Sequence, residues 1–308
     1  MQLSLGFSPC PNDTFIFDAL VHGRVDTEGL SFAVHLADVE ELNRRAFAGE
    51  LDVTKLSYHA YGHLIKQYQL LNAGSALGRG VGPLLVTADR DLYERVQARP
   101  QAKRQQVPTR SAMQTDDDIS QLVAANAPVA IPGRYTTANY LLGLALPHLT
   151  DKREVLFSDI EQRVLSGEFT AGLLIHENRF TYHERGLHKL LDLGDYWERQ
   201  TQQPIPLGGI VARRDLPNDV IAKMDRVLAR SVAHAFAHPD DSADYVAAHA
   251  QEMDPEVRRQ HIQLYVNEYT RSLGVAGHAA VDAFLRQGRK RGVLPNDGII
   301  GFHDPLKA

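Results

Sequence analysis

Apolar and polar positions alternate from the first residues. Leu3, Leu5 and Phe7 fall on one face, with Gln2, Ser4 and Gly6 on the other, the period of a half-buried strand. The strand runs into Ser8-Pro9-Cys10-Pro11-Asn12-Asp13, a polar turn that two prolines stiffen. Asn12 or Asp13 is placed to cap a helix over 14–21 that Gly23 stops. The next helix is predicted behind Asp38 as N-cap, with Glu41 at its third position. Val39, Leu42, Ala46 and Phe47 share one face of it, and Gly49 closes it. A strand over 51–56 leads through Ser57 into a helix ending near residue 67. The glycine-dense stretch 73–83 requires a backbone that bends sharply or approaches something closely. Leu84–Thr87 is a further strand.

Over residues 90–127 the pattern changes. Arg90, Arg95, Arg99, Lys103, Arg104 and Arg110 precede Asp116-Asp117-Asp118, and Leu122-Val123 is the one pair of branched aliphatic residues after Val107. This composition predicts a solvated, partly helical insertion. Tyr93 is the one aromatic residue among the charges, which lack the aromatic interleaving of a nucleic-acid strip. Buried-strand patterning returns at 129–132, followed by Gly133-Arg134-Tyr135-Thr136-Thr137 and a helix over 138–146. A short strand is predicted at 155–157, then a helix capped by Ser158 or Asp159 that ends before Gly167, and strands at 171–175 and 190–193. Residues 207–212 are apolar with a glycine pair and suit a strand crossing back between domains. Pro217 or Asn218, Pro239 and Pro255 open three helices, and a fourth spans 276–289.

Strands alternating with helices predict α/β architecture with parallel sheets. The helical tail carries an apolar face that needs a sheet to cover. The expected organisation is therefore two lobes, one over 1–88 and 208–308 and one over 89–207. At 308 residues, with 44% hydrophobic and 23% charged residues, the chain suits two globular domains. The net charge of -5 and the lack of a long basic run argue against a nucleic-acid partner. The single cysteine, Cys10, leaves no internal disulfide. The opening residues alternate like a strand and lack the basic and apolar regions of a leader, and no run is long enough to span a membrane. A cytoplasmic protein is expected.

The stretch Ala171-Gly172-Leu173-Leu174-Ile175 ends abruptly in His176-Glu177. An all-apolar run of this kind is a strand buried on both faces. In open α/β sheets ligands gather outside the carboxyl ends of strands, and an imidazole there exchanges protons near neutral pH. Three other strand ends carry polar turn residues: 8–13, Ser57, and 133–137. Each of the three begins a predicted helix, where N–H groups and the helix dipole favour an anion. Ser57, Thr136 and Thr137 add hydroxyls and Arg134 a charge. If the sheets face each other, all four ends line one interdomain cleft suited to a small anion. Cys10 is either a small packing residue or a thiol made more acidic by the turn. Glu177, next to His176 along a strand, points the opposite way and is read as structural.

Other motifs drop out. His176-Glu177-Asn178-Arg179-Phe180 lacks a second histidine four residues on, His183 reads as a surface group, and the fourteen histidines show no metal spacing. Gly78-Arg79-Gly80-Val81-Gly82 precedes a strand and is no dinucleotide fingerprint.

Five segments in the same order, 8–15, 54–58, 78–83, 132–138 and 175–182, resemble the 1,4-dihydroxy-6-naphthoate synthase family of the futalosine route to menaquinone. The segment over about 90–127 looks longer than that family's connector. The resemblance implies a type II periplasmic-binding-protein-like fold of two α/β lobes. It also implies a cofactor-free lyase that converts cyclic dehypoxanthine futalosine into 1,4-dihydroxy-6-naphthoate. By motif match His176 takes the proton-acceptor role, and Lys55, Leu56, Ser57, Thr136 and Thr137 match substrate-contacting positions. Cys10, Asn12, Asp13 and Arg134 are further candidates for substrate contact. The partner expected is a small anionic molecule, with a homodimer left open. The competing classes are a solute-binding protein without chemistry and a regulator's effector domain. The first is normally exported, and the second needs a DNA-binding segment.

Overall fold

The alternation at the N-terminus produces β1 (Gln2–Phe7), with Leu3, Leu5 and Phe7 fully buried. The computed structural model describes residues 1–98, 123, 128–176, 178–251 and 254–296. They form two units, Met1–Gly78 with Pro206–Ala308, and Arg79–Ile205. The first boundary lies ahead of the expected crossing near 88, because Leu84–Thr87 pairs with strands of the second unit. The second falls at 205/206 instead of 207/208.

The first unit holds β1, α1 (Pro11–Val21), β2 (Ser31–Leu36), α2 (Val39–Phe47), β3 (Val53–Ser57), α3 (Tyr58–Leu64), β4 (Tyr68–Leu70) and β5 (Ala76–Gly78). Its sheet order is β2-β1-β3-β11-β4, where β11 is Ile205–Arg213, and β5 pairs with β11. β1 is parallel to β2 and β3, while β11 runs antiparallel to β3 and β4. In the second unit the order is β10-β6-β9-β7-β8. Its strands are β6 (Leu84–Thr87), β7 (Val129–Ile131), β8 (Lys152–Glu154), β9 (Ala171–Leu174) and β10 (His188–Asp192), and its helices α4 (Arg90–Gln97), α5 (Thr137–Ala145), α6 (Ile160–Leu165), α7 (Asn178–Thr181) and α8 (Leu193–Thr201). β7 is parallel to β8 and β9, and β6 is antiparallel to β9 and β10. Both sheets are thus mixed, not parallel. Pairs joined through a helix, β1–β2 and β7–β8, keep the parallel sense. β6 and β11 reach their neighbours without such a crossover and run against them.

One face of the first sheet packs on α1 and α9 (Asn218–Ala237). Leu3, Leu5, Phe7, Phe17, Ile210, Val227 and Leu228 form a continuous core there, each fully buried large side chain contributing about 1.5–3 kcal/mol. The rings of Phe7 and Phe17 stack at 4.3 Å. Ser231 ties α9 to α1, donating to the Ile16 carbonyl at 2.6 Å and accepting from Leu20 N–H at 3.1 Å. On the other face Gly6 gives α2 room, since a Cβ there would come within 2.6 Å of Leu51 and 2.9 Å of Leu42. The C-terminal helices α10 (Ala243–His249) and α11 (Pro255–Tyr265) also pack on α1.

Asp38 caps α2 as the sequence predicts, accepting from Glu40 and Glu41 N–H. Gly49 follows in the left-handed region, φ +71. The helix α1 begins earlier than expected, with Cys10 as N-cap and Pro11 at the first position. Asn12 and Asp13 therefore lie inside the helix, and their side chains are used elsewhere. The strand predicted at 155–157 is displaced to β8, and Phe157–Asp159 is a short 3-10 turn. The glycine-dense loop makes its close approach at Gly82. A Cβ there would lie 2.1 Å from Gly194 N.

The segment expected as a solvated insertion opens with α4 (Arg90–Gln97), whose Leu92 and Val96 are buried, as is Val123. Residues 99–122 and 124–127 lie outside the described residues. Its first two turns belong to the packing of the second unit, against β6 and β10. Leu92→Ala is expected to cost about 2–5 kcal/mol of stability, read by denaturant unfolding. A loss below about 0.5 kcal/mol would place α4 outside the cooperative core.

Candidate active site

In the first unit β1 and β3 are parallel neighbours, so their carboxyl ends carry 8–13 and Ser57 to the same edge of the sheet. Asp13 is the hub. It is buried and accepts from Ser8 N–H at 3.2 Å, Ser8 Oγ at 2.7 Å, Asn12 Nδ2 at 2.8 Å and Lys55 Nζ at 2.5 Å. Its side chain therefore holds Lys55 in place, with little acceptor capacity left for a ligand. Lys55 itself is only 6% exposed. Gly208 of β11 makes room for its stem, since a Cβ there would come within 3.0 Å of Lys55 Cε. That contact accounts for one glycine of the pair read in the sequence.

Ser57 is the residue before α3 but makes no side-chain cap. Instead Asn43 brackets it, donating from Nδ2 to Ser57 Oγ at 3.2 Å and accepting Ser57 N–H at 3.1 Å. Asn43 Nδ2 also reaches Glu40 Oε2 at 3.1 Å. Leu56 is fully buried, its side chain on the opposite face of the strand from those of Lys55 and Ser57. Only its backbone is left to meet a ligand. Cys10 is buried, and its carbonyl accepts Asp13 and Thr14 N–H, each at 3.0 Å.

In the second unit β7 and β9 are parallel neighbours, which brings the ends of both strands to one edge. Beyond β7, Thr136 caps α5 (Thr137–Ala145). Its Oγ1 accepts Asn139 N–H at 3.2 Å and donates to the Gly133 carbonyl at 2.8 Å. Thr137 is buried at the first helical position, and Arg134 is exposed, 6.0 Å from the Tyr135 ring centre. Beyond β9, His176 is half-buried with φ +60. That conformation is uncommon outside glycine and enriched at functional turns. It turns the chain out of the strand, and the Phe157 ring meets the imidazole at 4.8 Å and 63°. Glu177 lies outside the described residues. His183 is exposed, and Trp197 is a core residue whose indole donates to the Pro204 carbonyl at 3.2 Å. Among the described residues no cluster of three His, Cys, Asp or Glu is arranged to hold a metal ion, and no helix is long and apolar enough to cross a membrane.

Two residues here were not singled out from sequence. Asn43 is a polar residue on the inward face of an amphipathic helix, between Leu42 and Ala46, a pattern that signals a buried partner. His261 of α11 is fully buried with Nε2 2.8 Å from Asn12 Oδ1, a contact across 249 positions that no local pattern announces.

A family model described as menaquinone biosynthesis matches residues 3–290. The chain is 44% identical over 291 residues to the 1,4-dihydroxy-6-naphthoate synthase of Thermus thermophilus, covering 94% of this chain and 95% of that one. It is 42% identical over 300 residues to the protein of the same name from Streptomyces coelicolor, covering 95% of each. In fold it is similar to a Candida albicans protein described as having the generic periplasmic binding protein fold. The TM-score is 0.65 at 12% identity, covering 100% of this chain and 94% of that one. The fold is accordingly periplasmic-binding-protein-like, and the chain belongs to the menaquinone-biosynthesis family of the 1,4-dihydroxy-6-naphthoate synthases.

Proposed function

We propose that this protein is a cofactor-independent carbon–carbon lyase that converts cyclic dehypoxanthine futalosine into 1,4-dihydroxy-6-naphthoate. The observation that carries the proposal is its 44% and 42% identity, over nearly the full length of each chain, to two proteins bearing that synthase name. His176 is assigned as the base. It removes a proton from the substrate and starts cleavage of the sugar-derived ring, with loss of a three-carbon fragment. Aromatisation of the new ring drives the step. Developing oxyanion charge needs fixed donors in a site that excludes water. Lys55, held by Asp13, and the hydroxyl of Ser57, held by Asn43, are assigned to the anionic part of the substrate. The buried Thr137 is assigned a substrate contact of its own. A cytoplasmic location accords with this role.

Ser57→Ala and Thr136→Ala are expected to diverge. Ser57 Oγ is bracketed without serving as a cap, so its loss weakens substrate binding by about 1.5–3 kcal/mol. Thr136 Oγ1 is occupied by Gly133 and Asn139. Its loss lowers stability by about 1 kcal/mol and affinity little. Calorimetric titration and unfolding read the two separately, and equal affinity losses would refute the division. The function itself is tested by incubating the purified protein with cyclic dehypoxanthine futalosine and following naphthoate by absorbance. Tight binding without turnover would favour a non-catalytic anion-binding protein of the same fold.

A further inference from the structure

A buried chain of polar groups runs behind Lys55. His261 Nε2 lies 2.8 Å from Asn12 Oδ1, Asn12 Nδ2 lies 2.8 Å from Asp13 Oδ1, and the same oxygen holds Lys55 Nζ at 2.5 Å. His261, Asn12, Asp13 and Lys55 are each less than a tenth exposed. A carboxylate paired with an ammonium group only accepts hydrogen bonds. Asn12 must therefore turn its NH2 toward Asp13 and its carbonyl toward His261. That carbonyl in turn requires a hydrogen on His261 Nε2. The Lys55–Asp13 pair thus sets the direction of every bond in the chain.

We infer that His261 is a positioning residue for Lys55. Without a donor at position 261 the Asn12 carbonyl is left buried with no hydrogen to accept. The amide, still tied to Asp13 through its NH2, shifts toward another donor. Asp13 moves with it, and the ammonium group leaves the place where it meets the anionic substrate. Burial raises the stakes, because water cannot enter to replace the missing partner. The inference rests on the proposed function only in naming the ligand. Its signature is a change in binding without a change in the chemical step, because His261 acts through Asn12 and Asp13 and not on the reacting atoms.

The test compares His261→Phe, which keeps a ring but removes the donor, with His261→Gln, whose amide N–H restores one. KM and kcat are measured with cyclic dehypoxanthine futalosine, and the dissociation constant of 1,4-dihydroxy-6-naphthoate by calorimetry. His261→Phe is expected to raise KM and the product dissociation constant about tenfold, the scale of one hydrogen bond in a charged network, with kcat within about twofold of the parent. His261→Gln is expected to recover most of that loss. Unchanged binding in folded His261→Phe, or equal losses in both variants, overturns the inference. Imidazole nitrogen shifts in the unmodified protein give a check that needs no variant: Nε2 should carry the hydrogen, and a bare Nε2 overturns it. If the parent binds product but does not turn over, the function proposal fails while the product-binding ratios and the tautomer still decide this one.

Discussion

Replacing His176 by asparagine is expected to lower kcat by about 10²–10⁴-fold, the usual contribution of a general base, while substrate affinity stays near the parent value. Asparagine suits this position better than alanine. The backbone there has φ +60, a region asparagine tolerates at lower cost than most residues. The turn beyond β9 should therefore survive, and the Phe157 ring that meets the imidazole at 4.8 Å faces a side chain of similar reach. Turnover and binding measured on the same preparation separate the two effects. A folded variant that binds substrate and turns over at the parent rate would remove His176 from the assignment.

Asp13→Ala is expected to be the most damaging change to stability in the first unit. It strips a buried ammonium group, Lys55, of its carboxylate. Breaking such a pair from one side typically costs about 3–5 kcal/mol, a fall in melting temperature on the order of 10 °C for a unit of this size. The double variant Asp13→Leu with Lys55→Met should recover much of the loss, because an apolar pair leaves no charge uncompensated. A single variant melting within about 2 °C of the parent would show that Lys55 finds another partner or water.

The elements that sequence anticipated are those written in local patterns. Leu3, Leu5 and Phe7 specify β1 by alternation, Asp38 with Gly49 brackets α2, and the apolar run at Ala171 specifies β9. The failures share a physical cause, which is that the deciding partner is distant. Asp13 is a good capping residue in isolation, yet Lys55 and Ser8 draw its carboxylate inward, and the cap falls to Cys10. β8 reads Lys-Arg-Glu and shows no apolar signal because it is an edge strand, half-buried to exposed. In α4 charges mask Leu92 and Val96, whose spacing of four puts both on one helical face. Strand direction is not encoded in an apolar run at all, so the parallel sheets that strand–helix alternation predicts are mixed, with β6 and β11 antiparallel to their neighbours. At the candidate site, strand ends marked the residues from 8 to 13, Ser57, the 133–137 turn and His176. Asn43, which brackets Ser57, and His261, which meets Asn12, come from helices and not from strand ends.

The proposed reaction is carbon–carbon cleavage by this chain acting alone. The most direct measurement is a product balance by mass spectrometry, on purified protein mixed with cyclic dehypoxanthine futalosine and nothing else. The proposed reaction predicts that substrate disappears while 1,4-dihydroxy-6-naphthoate and a three-carbon fragment appear in equal amounts, with the His176→Asn protein leaving the substrate intact over the same interval. Recovery of unchanged substrate from a folded protein that binds it, or naphthoate appearing without an equal amount of the fragment, would contradict the claim.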